Sequence, residues 1–286
     1  MGRKVGMEET VLPEDLDWIR REKVTAYLKD GDGFENTAQI TPLLFVKRML
    51  ALAQERGVKV IIGSATKINI DEETGQVDGV TYQRKGEGTS VIPATDVVVA
   101  TGPWTANILP GTPIDGSRSH SVVVEPTRTI SPYVLSPTII KHDEEDPHPG
   151  VVEIYPRPDN TAFCCGITDY DVPLPPASDG VQKDEKYWHQ VLDAVGTVST
   201  VLGNGKIVKK DACYRPYVTG RDRDSRPLLG YTHTPGLWLA AGHDEWGMQN
   251  STGTGKVISE LIFDGEARSA DIGSLDPGDV LKGGNC

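Results

Sequence analysis

The residues best placed to do chemistry lie in GLWLAAGHDEWGMQNSTGTGKVISELI, residues 236–262. The apolar run reads as a buried strand, Gly242 and Gly247 mark a turn, and a helix is expected to begin near Thr252. Free backbone N–H groups and the positive end of a helix dipole at such a junction suit an anionic or electron-rich ligand. An ordinary strand-to-helix connection has the same pattern. Gly253-Thr-Gly-Lys256 resembles the end of a phosphate loop, but that loop needs glycine where Asn250 stands and Ser or Thr where Val257 stands. Nucleoside triphosphate hydrolysis is therefore excluded.

Arg215, just before Pro216, carries a planar fork that suits a substrate carboxylate, or equally one of the 41 acidic residues of the chain. His243 suits a proton relay or a hydrogen-bonded structural position rather than a catalytic base. Tyr155, Tyr214 and Tyr217 flank expected strands, where a phenol donates to a carboxylate or simply packs. Arg215 and Tyr155 are the candidate catalytic positions. The run from His142 to His148 holds metal-capable groups without a spacing that would converge them, so a solvated loop and no metal site are expected. The four cysteines show no C-x-x-C, and reduced thiols follow. Cys164 and Cys165 should point to opposite faces of a strand, which disfavours a disulfide between them.

Several elements must position these groups. Thr41 caps and Pro42 opens a helix that Gly57 closes, with Leu43, Val46, Leu50 and Ala53 as its buried stripe. VKVIIG, residues 58–63, reads as a buried strand after it. Residues 67–83 read as two strands around a turn at Thr74 and Gly75. DVVVATGPW has the continuous apolar character of a central parallel strand, and ligands of open α/β sheets bind at such carboxyl ends. From residue 111 the pattern becomes strand-rich, with one helix over residues 183–203 whose stripe is Trp188, Val191, Leu192, Val195, Val198 and Leu202.

With 286 residues the chain can bury a full core, and no apolar run approaches the length of a membrane span. A net charge of -12 disfavours nucleic acid and anionic membrane surfaces as partners. The first 18 residues are charged and lack an apolar segment of the signal-peptide kind, so cytoplasm is the expected location.

Four segments in order carry a family resemblance: ATGPWT, YPRPDN, YRPYVTGRDRDSRPLLG and LWLAAGHDEWGMQNSTGTGK. Over about residues 37–265 the chain resembles the D-amino-acid oxidase, sarcosine oxidase and glycine oxidase superfamily, and within it fungal FAD-dependent oxidoreductases. The resemblance implies FAD as cofactor, with Ala100, Thr101 and Gly102 against its ADP half and backbone around Thr66 at the adenine. It implies Gly242, His243, Trp246, Gly247 and Met248 along the isoalloxazine, and Arg215 near the ring at the substrate face. The helix from Thr252 would direct its dipole at the flavin pyrimidine, where reduction builds negative charge.

The implied fold is α/β (α+β), an incomplete Rossmann-like FAD-binding domain over 37–110 and 230–268, interleaved with an antiparallel-sheet substrate domain over 111–229. Residues 1–36 and 269–286 flank them. The implied activity is oxidation of an amine or amino acid, with hydride transfer to flavin and reoxidation by oxygen. No G-x-G-x-x-G is present in the sequence, although the family grips the FAD diphosphate with one. A fragment is therefore expected, with an open sheet edge at Val97–Ala100 and Leu237–Ala241. The alternative is a non-catalytic short form that holds no flavin.

Overall fold

A computed structural model describes residues 12–25, 38–139, 150–220 and 226–281. In chain order it begins with α1 (Pro42–Glu55), β1 (Ser64–Ile70), β2 (Val77–Gln83), β3 (Thr89–Pro93), β4 (Val97–Val99), α2 (Thr105–Ile108) and β5 (Ile114–Glu125). There follow β6 (Thr138–Ile139), β7 (Gly150–Val151), β8 (Glu153–Pro156), β9 (Ala162–Asp169), α3 (Glu185–Val198) and α4 (Thr200–Gly203). The last elements are β10 (Lys206–Val218), β11 (Leu228–Tyr231), β12 (Leu237–Ala241), α5 (Gly247–Asp264) and α6 (Gly278–Leu281). The fold is mixed α/β with antiparallel sheets, as the sequence pattern implies. The run His142–His148 and Cys286 lie outside the described residues.

The chain divides into two compact units, each built from separate stretches of sequence. The first comprises residues 1–45, 119–168 and 182–213. It centres on a sheet of order β10-β5-β9-β8, in which β8 and β9 are antiparallel with Ile154 opposite Cys164. Its core gathers Val122, Val124, Val152, Ile154, Ala162 and Cys164 with Trp188, Val191 and Val195 of α3 and Leu202 of α4. Asp184 caps α3 by accepting from Lys186 N at 2.9 Å. The helix expected over 183–203 breaks at Ser199, which is extended and caps α4 by accepting from Leu202 N at 3.2 Å. Ser199 Oγ also donates to Trp18 O at 2.5 Å. Leu16 and Trp18 are buried in this core, with Trp18 Nε1 donating to Ser131 Oγ at 2.8 Å.

The second unit comprises 46–118, 169–181 and 214–286. It holds the meander β1-β2-β3, with Ile68 opposite Val80 and Val80 opposite Ile92. Its first turn is the expected one: Asp71 Oδ1 accepts from Thr74 N at 2.7 Å, and Gly75 has a φ of 68°. A second sheet has the order β11-β12-β4. β12 runs parallel to β4, with Leu239 opposite Val99, and antiparallel to β11. Val77, Val99, Ile114, Val218, Leu228, Leu237, Leu239 and Ala241 form the core of this unit.

Four sequence expectations are corrected here. α1 forms between its expected caps, but no residue of it is buried, and Leu43 is 62 % exposed. Helical periodicity reports amphipathicity, and the described residues supply no surface that covers the stripe. Residues 58–63 form no strand, and Ile62 is 84 % exposed. Their β-rich composition needs a neighbouring strand to become a sheet, and none among the described residues is paired with them. β4 is parallel as expected but is not central: among the described residues β12 is its single neighbour in the sheet order, and Val98 is 39 % exposed. Among the described residues the anticipated open edge is present at β4, whereas the edge expected at Leu237–Ala241 is not: β12 is paired on both sides, with β11 and β4.

Candidate functional site

The second unit carries a cleft of about 320 Å³ above the ends of β4 and β12. Val98 and Ala100 come from β4 and the residues after it, Ala240 from β12, and His243 from the turn. Gly247, Ser251, Thr254, Gly255 and Ile258 complete the lining from α5. Positions 247, 251, 254 and 258 fall on one stripe of a helix, so α5 turns its small residues toward the cleft. Buried Val257 and Ile258 anchor the helix beside them.

The turn between β12 and α5 is shaped by Gly242, whose φ is 86°. A Cβ there would lie 2.7 Å from Val218 Cγ2 and 2.8 Å from Ile114 Cδ1, so only glycine fits both the backbone and the space. Asp244 follows with a φ of 48° and opens a 3-10 turn, Asp244–Trp246, that leads directly into α5. No side chain caps α5 at Trp246. The N-terminal end of α5, the positive end of its dipole, lies at this junction.

The helix starts at Gly247, not near Thr252 as the sequence suggested. Gly253 and Gly255 each cost on the order of 1 kcal/mol against alanine in a helix. Burial of Val257 and Ile258 in the same helix offsets that cost, a contribution propensity alone does not include. Thr252 is exposed on the second turn and does not line the cleft.

His243 Nε2 lies 3.0 Å from Thr254 Oγ1, and burial holds its imidazole below the usual range, so it is neutral at pH 7. It can pass a hydrogen bond between Thr254 and a ligand but carries no fixed charge. Arg215 on β10 is ion-paired with Glu245 of the 3-10 turn, its side chain 22 % exposed and that of Glu245 53 %. Tyr217, on the same strand, packs edge-to-face against Tyr170 at 6.1 Å. Tyr214 is buried and donates to Pro173 O at 2.9 Å, which accounts for it by packing and hydrogen bonding.

Of the positions expected at a cofactor, the structure brings Ala100, His243 and Gly247 to the cleft itself. Thr101 and Gly102 continue from Ala100 into a short 3-10 turn, Gly102–Trp104, and Gly242 begins the turn between β12 and α5. Trp246 and Met248 flank Gly247, with Trp246 half exposed. Thr66 lies on β1, where its hydroxyl donates to Thr81 O at 3.2 Å, and it is not among the cleft residues. Tyr155 belongs to the first unit, donates to Glu153 Oε2 at 2.9 Å and packs near Phe163.

Sequence reasoning missed Val98, Ala240, Ser251, Thr254 and Ile258 as lining residues. The stripe 247/251/254/258 was readable only once the helix start was known. It also missed the buried pair Arg118–Asp169, because neither residue sits in a chemical motif.

The lining can be tested against a flavin. It is apolar and small-residue-rich, the size falls in the range of small-molecule sites, and a Cβ on Gly255 would meet no atom within 4 Å and so would point into open cleft. These features fit a flat ring. The diphosphate of such a cofactor has no glycine-rich partner loop in this sequence.

Residues 2–261 match the model of the family described as FAD dependent oxidoreductase, designated DAO. The protein named "Putative oxidoreductase TDA3" of Saccharomyces cerevisiae is 34% identical over 294 residues, covering 93% of this chain and 55% of its own length. The chain thus spans about half the length of that curated relative. Among solved structures, the L-proline dehydrogenase of P. horikoshii superposes with a TM-score of 0.64 at 19% identity, over 85% of this chain and 60% of its own. The iminodiacetate oxidase IdaA of Chelativorans sp. BNC1 gives 0.63 at 16% identity, over 82% and 58%. At these identities the superpositions establish the fold.

Proposed function

We propose, given that this chain belongs to the DAO family of FAD-dependent oxidoreductases, that its cleft is where a C–N bond of an amine or amino acid is oxidised. FAD is the cofactor of the family; when bound it supplies a two-electron acceptor for hydride, with oxygen as the final oxidant. The relatives' names support a C–N substrate: a proline dehydrogenase and an iminodiacetate oxidase both act on such bonds. The relative it matches is about twice as long, and the activity is proposed here on the family alone.

The observation that carries the reading is the junction of β12 and α5. Its apolar lining offers a surface for a flat ring, and the small residues on α5 leave room for that ring. The positive dipole end of α5 stabilises negative charge that builds next to it. Neutral His243 orients a donor or acceptor through Thr254. Arg215 is a planar cation held by Glu245 of the turn between His243 and Gly247. Together these residues position a substrate C–H bond; no group among them needs to act as a strong base. Thr66, Thr101, Gly102, Trp246 and Met248 serve in this reading as further cofactor contacts, and the cytoplasm as the location.

A second reading is favoured by the missing G-x-G-x-x-G: a non-catalytic form that holds no flavin. An absorbance spectrum of the purified chain with and without FAD separates the two. Protein-bound flavin bands near about 375 and 450 nm support the first. A colourless chain whose melting temperature does not rise with excess FAD leaves only the second.

A further inference from the structure

Three polar side chains line the cleft, those of His243, Ser251 and Thr254. Their protons can be traced one by one, because a hydroxyl carries one donor and a neutral imidazole one donor and one acceptor. Ser251 Oγ donates back to Met248 O at 3.0 Å, so its proton is used within α5. Thr254 makes no such bond to its own helix; among the described residues the partner of its hydroxyl is His243 Nε2, at 3.0 Å. The imidazole is neutral, held so by burial. Its backbone is fixed by Trp246 N, which donates to His243 O at 3.0 Å.

Two arrangements satisfy the geometry of the pair, and they differ in the proton left over. If Nε2–H donated to Thr254, the threonine hydroxyl proton would have no acceptor among the described residues, in a cleft walled also by Val98, Ala100, Ala240 and Ile258. A polar hydrogen without an acceptor beside apolar walls is costly. If Thr254 donates to Nε2, its proton is satisfied and the ring carries its own proton on Nδ1. Nδ1 has no partner among the described residues, so this N–H remains for a ligand.

We propose that Thr254 is a positioning residue: by donating to Nε2 it holds His243 as the Nδ1–H tautomer, and the cleft thereby receives its ring ligand through an acceptor atom of that ligand, a carbonyl oxygen or an unprotonated ring nitrogen. The proposal rests on reading the cleft as a flavin site, and the isoalloxazine carries both kinds of acceptor. A flat ring without an acceptor at its edge packs on the same walls but leaves Nδ1–H unpaired, so the cleft rejects it.

The test uses the full chain labelled with 15N in its six histidines, at neutral pH and without flavin. Couplings to the ring protons tell Nδ1 from Nε2, and His243 is assigned by its loss in His243→Asn. In the unmodified chain the proton sits on Nδ1. Thr254→Val keeps the shape and removes the hydroxyl, and the ring shifts to the Nε2–H form; Thr254→Ser restores Nδ1–H. Riboflavin, which has the ring without the diphosphate, is titrated in parallel by its fluorescence. Its affinity falls about tenfold in Thr254→Val and returns in Thr254→Ser. Valine would preserve a purely packing role and so would move neither reading. The proton on Nε2 in the unmodified chain, a tautomer unchanged in Thr254→Val, or riboflavin bound equally tightly with and without the hydroxyl overturns the proposal. Riboflavin bound by none of the chains sinks the flavin reading alone, while the tautomer spectra decide on Thr254.

Discussion

Arg118 and Asp169 meet in the interior of the second unit, with Nη2 2.6 Å from Oδ2 and side-chain exposures of 4 % and 5 %. Asp169 Oδ1 also accepts from Asp171 N at 2.9 Å, so this carboxylate organises a turn as well as a charge. Removing one partner of such a pair leaves the other charged in a poorly solvating interior. Asp169→Ala should cost about 3–5 kcal/mol, read as a lower urea midpoint. Arg118→Leu combined with Asp169→Leu should recover part of that loss, because no uncompensated charge remains. A single variant as stable as the parent would show that the pair contributes little.

Gly242→Ala tests the turn that forms the site. The substitution places a Cβ against Val218 and Ile114 and forces alanine to a φ of 86°. Left-handed strain of this kind costs about 1–3 kcal/mol, so the melting temperature should fall, and any stabilisation by FAD should shrink with it. An unchanged melting curve would mean that the turn relaxes freely.

The cleft can be filled without disturbing the fold. Gly255 has open space where a Cβ would stand, and leucine is a better helix former than glycine by roughly 1 kcal/mol. Gly255→Leu should therefore hold or raise stability while abolishing the melting shift produced by FAD. Retained FAD stabilisation would place the flavin elsewhere.

Glu260 gives a pH-dependent contribution with a definite sign. It accepts from Ser269 N, Ser269 Oγ and Arg268 N, and pairs with Lys256 at 3.2 Å. The Ser269 hydrogen bonds, hydroxyl first, hold its carboxyl down at about 2 from an ordinary 4.5. A folded-state pKa below the unfolded one means stabilisation present above pH 4.5 and lost as pH falls toward 2. Glu260→Gln should flatten the stability profile over that window, and should hasten proteolysis after residue 265 at neutral pH. Superimposable profiles in the two proteins would remove Glu260 from this role.

Much of the fold was legible where local chemistry and packing agree. The meander turn at Asp71–Gly75, the strands that follow residue 111, and the stripe Trp188/Val191/Val195 of α3 all combine a local signal with burial. Legibility failed where a segment depends on a neighbour: α1 and residues 58–63 have the pattern of buried elements and stand exposed. Leu16 and Trp18 sit in a charged segment whose composition conceals them, yet they are core. At the site, Ala100, His243 and Gly247 were found because a strand–turn–helix junction announces itself in glycine spacing. Ser251 and Thr254 were hidden by a helix that begins five residues earlier than its glycines suggested.

Among the described residues β4 has one neighbour in its sheet and an exposed Val98, and Val58, Val60, Ile61 and Ile62 are open to solvent in the same unit. A strand with a bare row of hydrogen-bonding groups is a template for another strand, and exposed apolar side chains elsewhere on the unit add to that tendency. The colloidal behaviour of the isolated chain follows: its light-scattering mass should climb with protein concentration, and less so in the presence of a mild detergent. Preparations for binding measurements are accordingly best kept dilute.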